Sequence, residues 1–440
     1  VNDQNVEFHT MRQVSLRLLP FLLLLYIFCW LDRSNVSIAA LQMNQELKFS
    51  SAAFGFGAGI YFLSYALFEV PSNLILARVG ARLWFARIAV TWGIIACAMM
   101  WVQTPIQFYA LRFLLGVAEA GFFPGVIYYL GLWFPAAYRA RASSCFMIGI
   151  PMSQALGASI GGALLGLDGV GHLSGWQWLF LIEGLPSVLI GVAVLVCIKD
   201  RPEQAQWLSA PRREWISYRL AQEQQQSHSA HTSPLRVIGS PLAWVLIVPY
   251  FALCTVAYAI TFWGPTLVHD ALGTSNTITG LVIGGMYLFA ALVYPLSGMF
   301  SDQWGDRCGL AAVGLGLYCA GSVGVALLPH SPLRVAALAV AVIGNPVFMS
   351  SFWCLPTTFL KGTAAAAGIA LISSVGTTGG FFGPTIVGFL KQSTGGDTGA
   401  FFGLAALALI GGLVLLGLRQ LAVFRPTHRL MDAVPEMQRT

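Results

Sequence analysis

Twelve runs of about twenty or more predominantly apolar residues, parted by short polar breaks, take up nearly all of this 440-residue chain. Each is long enough to cross the hydrocarbon core of a bilayer as a helix. The runs read as roughly 15–41, 53–77, 84–103, 106–132, 142–166, 176–198, 242–267, 277–300, 309–329, 333–357, 364–390 and 399–422. With 57% hydrophobic and only 10% charged residues, the chain lies outside the profile of soluble domains. It reads as an all-α membrane protein.

Lys and Arg give the spans a direction, because inner loops of membrane proteins concentrate them. With the N-terminus inside, only Lys48, Arg334 and Lys391 of the 24 cations fall in outer segments, Arg33 and Arg112 lie within spans, and all others face inward. Both termini are therefore expected to be cytoplasmic. The net charge of +6 is this sidedness and gives no reason to invoke nucleic acid. The first run is too long for a cleaved leader and has no convincing small-residue cleavage site, so it reads as the first span. Short loops without processing signals point to a bacterial inner membrane. Eight cysteines stand singly, with no C-x-x-C or Cys/His spacing; they read as reduced and structural, with no metal or other cofactor expected.

Residues 199–240 form the only long polar stretch. The expected organisation is a six-helix bundle over 1–198, a cytoplasmic linker over 199–240, and a second six-helix bundle with a cytoplasmic tail over 241–440. A duplication of this kind should leave a trace in the sequence. Asn73 to Arg82 reads N-L-I-L-A-R-V-G-A-R and Gly298 to Arg307 reads G-M-F-S-D-Q-W-G-D-R, which aligns Gly80 with Gly305 and Arg82 with Arg307 at corresponding loops.

Four ionisable residues sit inside spans: Asp32 and Arg33 in the first, Arg112 and Glu119 in the fourth. Each costs about 2.5 to 3.5 kcal/mol at a helix centre, so by default they mark a functional site. Glu119 follows Arg112 by seven residues, which puts both on one helix face about 10 Å apart. The spacing predicts two cations and two carboxylates facing a shared cavity; the bland reading is a neutralised cluster holding two helices together. Arg offers a planar fork that fits a carboxylate bidentately, so a substrate carboxylate can replace an internal Asp or Glu as its partner. The displaced carboxylate then takes up a proton more readily, which links substrate to proton. Glu69 near the inner end of the second span reads as a gate or structural pair, Glu183 in the sixth as structural, and Asp302 with Arg307 as a cytoplasmic latch.

Gly298, Asp302, Gly305 and Arg307 resemble the G-x-x-x-D-x-x-G-x-R signature of the major facilitator superfamily. Further stretches resemble its anion:cation symporter branch: L-D-R-S-N-V at 31–36, F-E-V-P-S-N at 68–73, R-F-L-L-G-V-A-E-A-G-F-F-P at 112–124, L-W-F-P at 132–135, G-W-Q-W-L-F-L-I-E-G-L-P at 175–186 and G-G-F-F-G-P at 379–384. The first copy of the signature departs from it, with Asn73 and Ala77 in place of Gly and Asp, as is typical of that branch. The resemblance implies two pseudo-symmetric six-helix bundles. It also implies import of a small organic anion with a proton, Arg33 holding the substrate carboxylate, Asp32 and Glu119 carrying protons, and Arg112 as the partner of unprotonated Asp32.

No charged residue falls deep within the last six spans, so recognition of the rest of the substrate is expected from neutral groups there: Tyr258, Phe262, Trp263, Asn345, Ser350, Trp353, Ser373, Ser374 and Thr377, with Tyr65 and Gln154 from the first half. Sugar-acid carriers of the branch often have N-S-x-G-N where this chain has S-S-V-G-T at 373–377. That difference, with Trp30, Trp263 and Trp353, tilts the expectation toward an aromatic carboxylate of the hydroxyphenylacetate or phthalate type, with a hydroxy acid such as tartrate comparable. Sodium coupling or anion exchange is the alternative, and a multidrug exporter fits less well because two Arg share the site. The carrier is expected to work as a monomer. Gly149, Pro151, Gly157, Gly161 and Gly162 in the fifth span, and Gly376, Gly379, Gly380, Gly383 and Pro384 in the eleventh, allow close packing and kinks.

Overall fold

The computed structural model describes residues 3–227, 239–328, 331–360 and 362–424. Twelve helices among them are long and apolar enough to cross a membrane: α1 (Val6–Glu46), α2 (Ser51–Val79), α3 (Ala81–Trp101), α4 (Pro105–Trp133), α5 (Ala136–Leu167), α6 (Gly175–Cys197), α7 (Pro241–Leu272), α8 (Asn276–Ser301), α9 (Arg307–Leu327), α10 (Leu333–Phe359), α11 (Ala367–Thr394) and α12 (Thr398–Arg419). Their starts are written locally. Ser50 caps α2 through the Ala53 amide, and Thr104 with Gln107 forms a capping box ahead of Pro105 on α4, so the first orphan amides of these helices are satisfied.

Four spans are interrupted near their middles. The helix of α4 stops at Glu119 and restarts at Phe122 after Gly121, whose φ of 82° suits only glycine. Breaks also fall at Ile148 in α5, at Trp353 to Leu355 in α10 and at Thr378 in α11. These are pseudo-equivalent helices of the two halves, and broken helices of this kind are tolerated where neighbours satisfy the freed backbone.

The aligned glycines of the two signature loops both take positive φ, 95° at Gly80 and 65° at Gly305. Each loop is tied to the last helix of its own half with the charges exchanged. In the first half the Arg82 amide donates to Asp200 at 2.8 Å and its Nε to the Leu195 carbonyl at 2.6 Å. In the second, Asp306 caps α9 through the Gly309 amide and pairs with Arg419 at 2.8 Å. The expected Asp302–Arg307 latch falls on a side chain outside the described residues; among those described, Asp306 and Arg419 make a tie at this loop.

The linker is more structured than its polar composition suggests. Residues Ala210–Ser227 form a helix seated on the first half. Trp207 stacks on Trp133 beneath Arg17, Gln13 bonds both the Trp207 carbonyl and Arg212, and Glu223 accepts from the Ala136 amide and Arg139.

The halves meet at the end opposite the Arg-rich loops. There α2 lies on α11 and α5 on α8, so closely that a Cβ added to Gly59 would stand 2.6 Å from the Phe381 carbonyl, and one on Gly162 would stand 2.7 Å from the Asn276 carbonyl. Toward the basic end the halves part, and the bond from Ser374 to Glu69, 3.3 Å, is the innermost hydrogen bond between them among the described residues. The halves are thus closed on one another at one end and less closely packed toward the basic one. In Gly59→Leu the added side chain meets backbone that cannot yield. Spin labels at exposed Lys48 and Ser393, one in each half, should move apart in that variant; an unchanged distance distribution would show that this contact does not hold the end shut.

Candidate functional site

The polar centre is built on one carboxylate. Glu119 is fully buried, and its Oε2 accepts from Tyr61 Oη at 2.5 Å, Arg33 Nη2 at 3.1 Å and Cys29 Sγ at 3.4 Å, while Oε1 has no partner. Three helices, α1, α2 and α4, therefore converge on it. The Arg33 guanidinium lies among aromatic faces, 4.6 Å from Trp30, 5.0 Å from Tyr61 and 5.2 Å from Tyr65. These contacts hold a planar cation without using its hydrogen-bond donors. Only one Arg33 nitrogen is engaged by a carboxylate, and Nε is buried without a partner.

Arg112 is 1% exposed and has no ion-pair partner among the described residues. Its guanidinium instead donates to three backbone carbonyls, those of Gly57, Ala58 and Arg33, each at 3.4 Å, and lies 5.1 Å from the Tyr61 ring. The expected Arg112–Asp32 pair is absent here. The reason is helical geometry: neighbouring residues point about 100° apart. Arg33 therefore faces α2 and α4 while Asp32 faces α6, where its Oδ2 accepts from Ser187 at 2.6 Å and Oδ1 has no partner. The central cluster thus holds two cations and one carboxylate rather than two of each.

The break in α4 positions Glu119, and two signature stretches fit together to make it. Ser72, from F-E-V-P-S-N, takes the Trp84 indole proton at 3.0 Å and packs where a Cβ on Gly121 would fall. Arg87 donates to the Ala118 carbonyl at 3.2 Å, satisfying a group that the interrupted helix leaves open.

The other expected residues fall into distinct places. Tyr65 borders Arg33, and Tyr258 stacks on Trp30 at 6.4 Å and lies tilted against Phe62 at 4.2 Å, so both lie at the centre. Gln154 lines a narrow cleft with Ser34, Asn35, Thr261 and Tyr287, one turn away from Arg33. Trp263 does not join the centre: it sits in the closed end, edge-on to Phe54, donating to the Pro384 carbonyl at 3.2 Å and lying under Lys391. Trp353 packs on Tyr250 and Phe352, and the Ser350 hydroxyl returns to the Val347 carbonyl. Ser373 is half-buried on α11, and its neighbour Ser374 meets Glu69. Arg307 begins α9 at the basic end. Tyr61 and Cys29 were not singled out from the sequence, although Tyr61 precedes Tyr65 by one helical turn and shares its face.

Removing Arg33 leaves a buried carboxylate short of its cation. Arg33→Ala should cost about 3 kcal/mol, the low end for a broken buried pair because Tyr61 and Cys29 still donate. Adding Glu119→Gln should recover part of that loss. Equal thermal unfolding of the single and double variants in detergent would show that the pair is not coupled.

Residues 22–275 match the Major Facilitator Superfamily model. A protein of Agrobacterium vitis whose name proposes tartrate transport is 43% identical over 427 residues, covering 96% of this chain and 97% of that protein. The Quinolone resistance transporter of Acinetobacter baumannii is 38% identical, covering 92% and 94%, and the inner membrane transport protein RhmT of Escherichia coli is also 38% identical, covering 92% and 94%. Among solved structures, a bacterial homologue of the lysosomal transporter Spinster, captured inward-facing and unoccupied, superposes with a TM-score of 0.73 at 18% identity over 92% of this chain and 95% of that one. A D-xylose-proton symporter gives 0.71 at 17% identity, over 91% and 96%. At those identities the two structures speak to the fold.

Proposed function

We propose that this chain, which belongs to the major facilitator superfamily of transporters, imports a small organic carboxylate by proton symport across a bacterial inner membrane, with both termini cytoplasmic. One observation carries the reading: the buried centre has two guanidiniums for one carboxylate, and Arg33 gives that carboxylate a single nitrogen, its others being left to Tyr258 or, at Nε, to no partner. A buried cation without a full partner is costly. An anionic substrate supplies what is missing.

In the conformation described, Glu119 occupies Arg33. Protonation of Glu119 frees the Arg33 fork for a substrate carboxylate. Arg112, fixed by three carbonyls, keeps the site positive throughout. Asp32 carries its proton behind α1, against Ser187. The loaded carrier then rocks about the centre, closing the entry side and opening the cytoplasmic one. Tyr65, Tyr258 and Trp30 form apolar walls suited to an aromatic or small hydroxy acid, with Gln154 and Ser373 within reach for hydroxyl contacts. Glu69 gates the basic end through Ser374. Tartrate, named for the Agrobacterium vitis relative, is the first compound to test. The quinolones named for another relative are themselves aromatic carboxylates, so that name is compatible with an anion site.

Thermal shift of the purified protein against tartrate, phthalate, hydroxyphenylacetate and a sugar acid at two pH values should name the ligand class and report its proton linkage. With the ligand in hand, Arg33→Lys should weaken binding about tenfold or more, because a point charge cannot replace the fork; normal affinity would remove Arg33 from the site. Glu119→Gln should abolish uptake driven by a pH gradient yet retain counterflow, which needs no net proton movement. Loss of both would mean that Glu119 is not simply a coupling residue. Replacing sodium by choline at fixed pH should leave uptake unchanged, and a collapse of uptake would establish sodium coupling instead.

A further inference from the structure

Behind α1, away from the Arg33–Glu119 cluster, a second set of polar groups is buried between α1, α3 and α6, bordered at Asn35 by the cleft that Gln154 lines. Asp32 and Asn35 lie one turn apart on α1, and Glu183 and Ser187 lie one turn apart on α6. The helices run antiparallel, so the four form two rungs: Asp32 opposite Ser187, bonded at 2.6 Å, and Asn35 opposite Glu183. Glu183 is 4% exposed and neither of its carboxylate oxygens has a partner; Asn35 is 5% exposed and both atoms of its amide are also unbonded. The free Asp32 Oδ1 faces the Trp92 indole of α3, which is unbonded as well.

No cation serves this set. On α1, Arg33 is turned to Glu119, Cys29 donates to Glu119, and Glu46 takes the Trp176 indole proton at the far end. On α3, Arg82 is held by Leu195 at the basic end, Arg87 by the Ala118 carbonyl, and Cys97 faces the Leu181 carbonyl. Neither α5 nor the 3-10 turns Met99–Trp101 and Leu165–Leu167 that touch α6 bring a titratable side chain to it. Two buried carboxylates one rung apart, faced by neutral donors alone (the Ser187 hydroxyl and Trp92 indole at Asp32, the Asn35 amide at Glu183) and by no cation, cannot both be ionised without a large penalty. A protonated Glu183 resolves both deficits: its O–H has an acceptor in the Asn35 carbonyl oxygen, and the repulsion on Asp32 is removed.

We propose that Glu183 is a proton-carrying carboxylate of the transport cycle. It holds a proton in the conformation described, and the Asp32–Glu183 pair binds and releases that proton as a unit, physically apart from the Arg33–Glu119 site where substrate binds. The step is a plain protonation, Glu–COO⁻ plus H⁺ giving Glu–COOH, with no other reactant. The role in the cycle rests on the proton-symport reading above; the protonation itself does not.

Infrared difference spectra of the purified full-length protein, exchanged from H₂O to D₂O, report protonated carboxyl groups directly. Wild type should show a carboxyl band that is missing in Glu183→Gln and restored in Glu183→Asp. An identical band in wild type and Glu183→Gln would overturn the proposal, since Glu183 would then be ionised. In proteoliposomes, radiolabelled L-tartrate and an internal pH dye count protons per anion. Glu183→Gln should keep counterflow while carrying one proton fewer per tartrate. An unchanged count with the infrared band lost would mean a fixed structural proton and would also overturn the transport role. Wild type that moves tartrate without protons would instead refute the symport reading, leaving the infrared result to decide the state of Glu183.

Discussion

The buried pair of Arg33 and Glu119 is the interaction on which the rest of the molecule depends. A carboxylate at the last residue of a helical segment sits at the negative end of the helix dipole, a poor place for an anion. Glu119 stays there because three donors from two other helices point at one of its oxygens, and because Arg87 occupies the carbonyl that the break leaves open. The break is therefore the means by which a charged side chain is delivered to the middle of the bundle with its second oxygen free. Tyr61 is shared: it donates to Glu119 and lends its ring to both guanidiniums, so the two cations and the carboxylate are held as one unit.

Adjacent residues on one helix serve two compartments. Arg33 looks into the space between the halves, and Asp32 looks into the interior of its own half. Separating a guanidinium from an acid by a single peptide bond keeps them electrostatically aware of each other while denying them contact. In the proposed cycle a substrate carboxylate reaches the first without meeting the second, and a proton on Asp32 changes the field at Arg33 without crossing the substrate's path.

Much of this was legible in the sequence, for physical reasons that also mark the limits. Span number follows from length and hydrophobicity, and Asp32, Arg33, Arg112 and Glu119 announce themselves because charge in a bilayer is expensive. Partnerships were harder. The expected Arg112–Asp32 pair failed because similar depth on two helices says nothing about azimuth, and the 100° between Asp32 and Arg33 decides it. Tyr61 and Cys29 are types that pack in any membrane helix, so nothing but their spacing from Tyr65 and Arg33 distinguished them. Trp263 was placed at the centre on its type alone, whereas its position, nearer the closed end of α7, puts it in the seal. The linker helix hid behind Gln and Arg; its signal was the apolar set Trp207, Leu208, Trp215 and Ile216 within the polar stretch.

At the closed end the tightest approaches between the halves are at glycines, where carbonyl meets Cα directly, as at Gly55 and Gly162. Such a contact has almost no rotamers to freeze or release. Parting it costs little interdigitation, and re-forming it does not require a set of side chains to find their slots again. The seam therefore resembles a smooth bearing more than a zipper, and the two faces can roll or slide by small steps while the water barrier holds. A carrier built this way sets its buried charges in the middle and seats its seam on glycine backbone, with a few aromatic contacts such as Trp263 on Phe54 to mark the closed register.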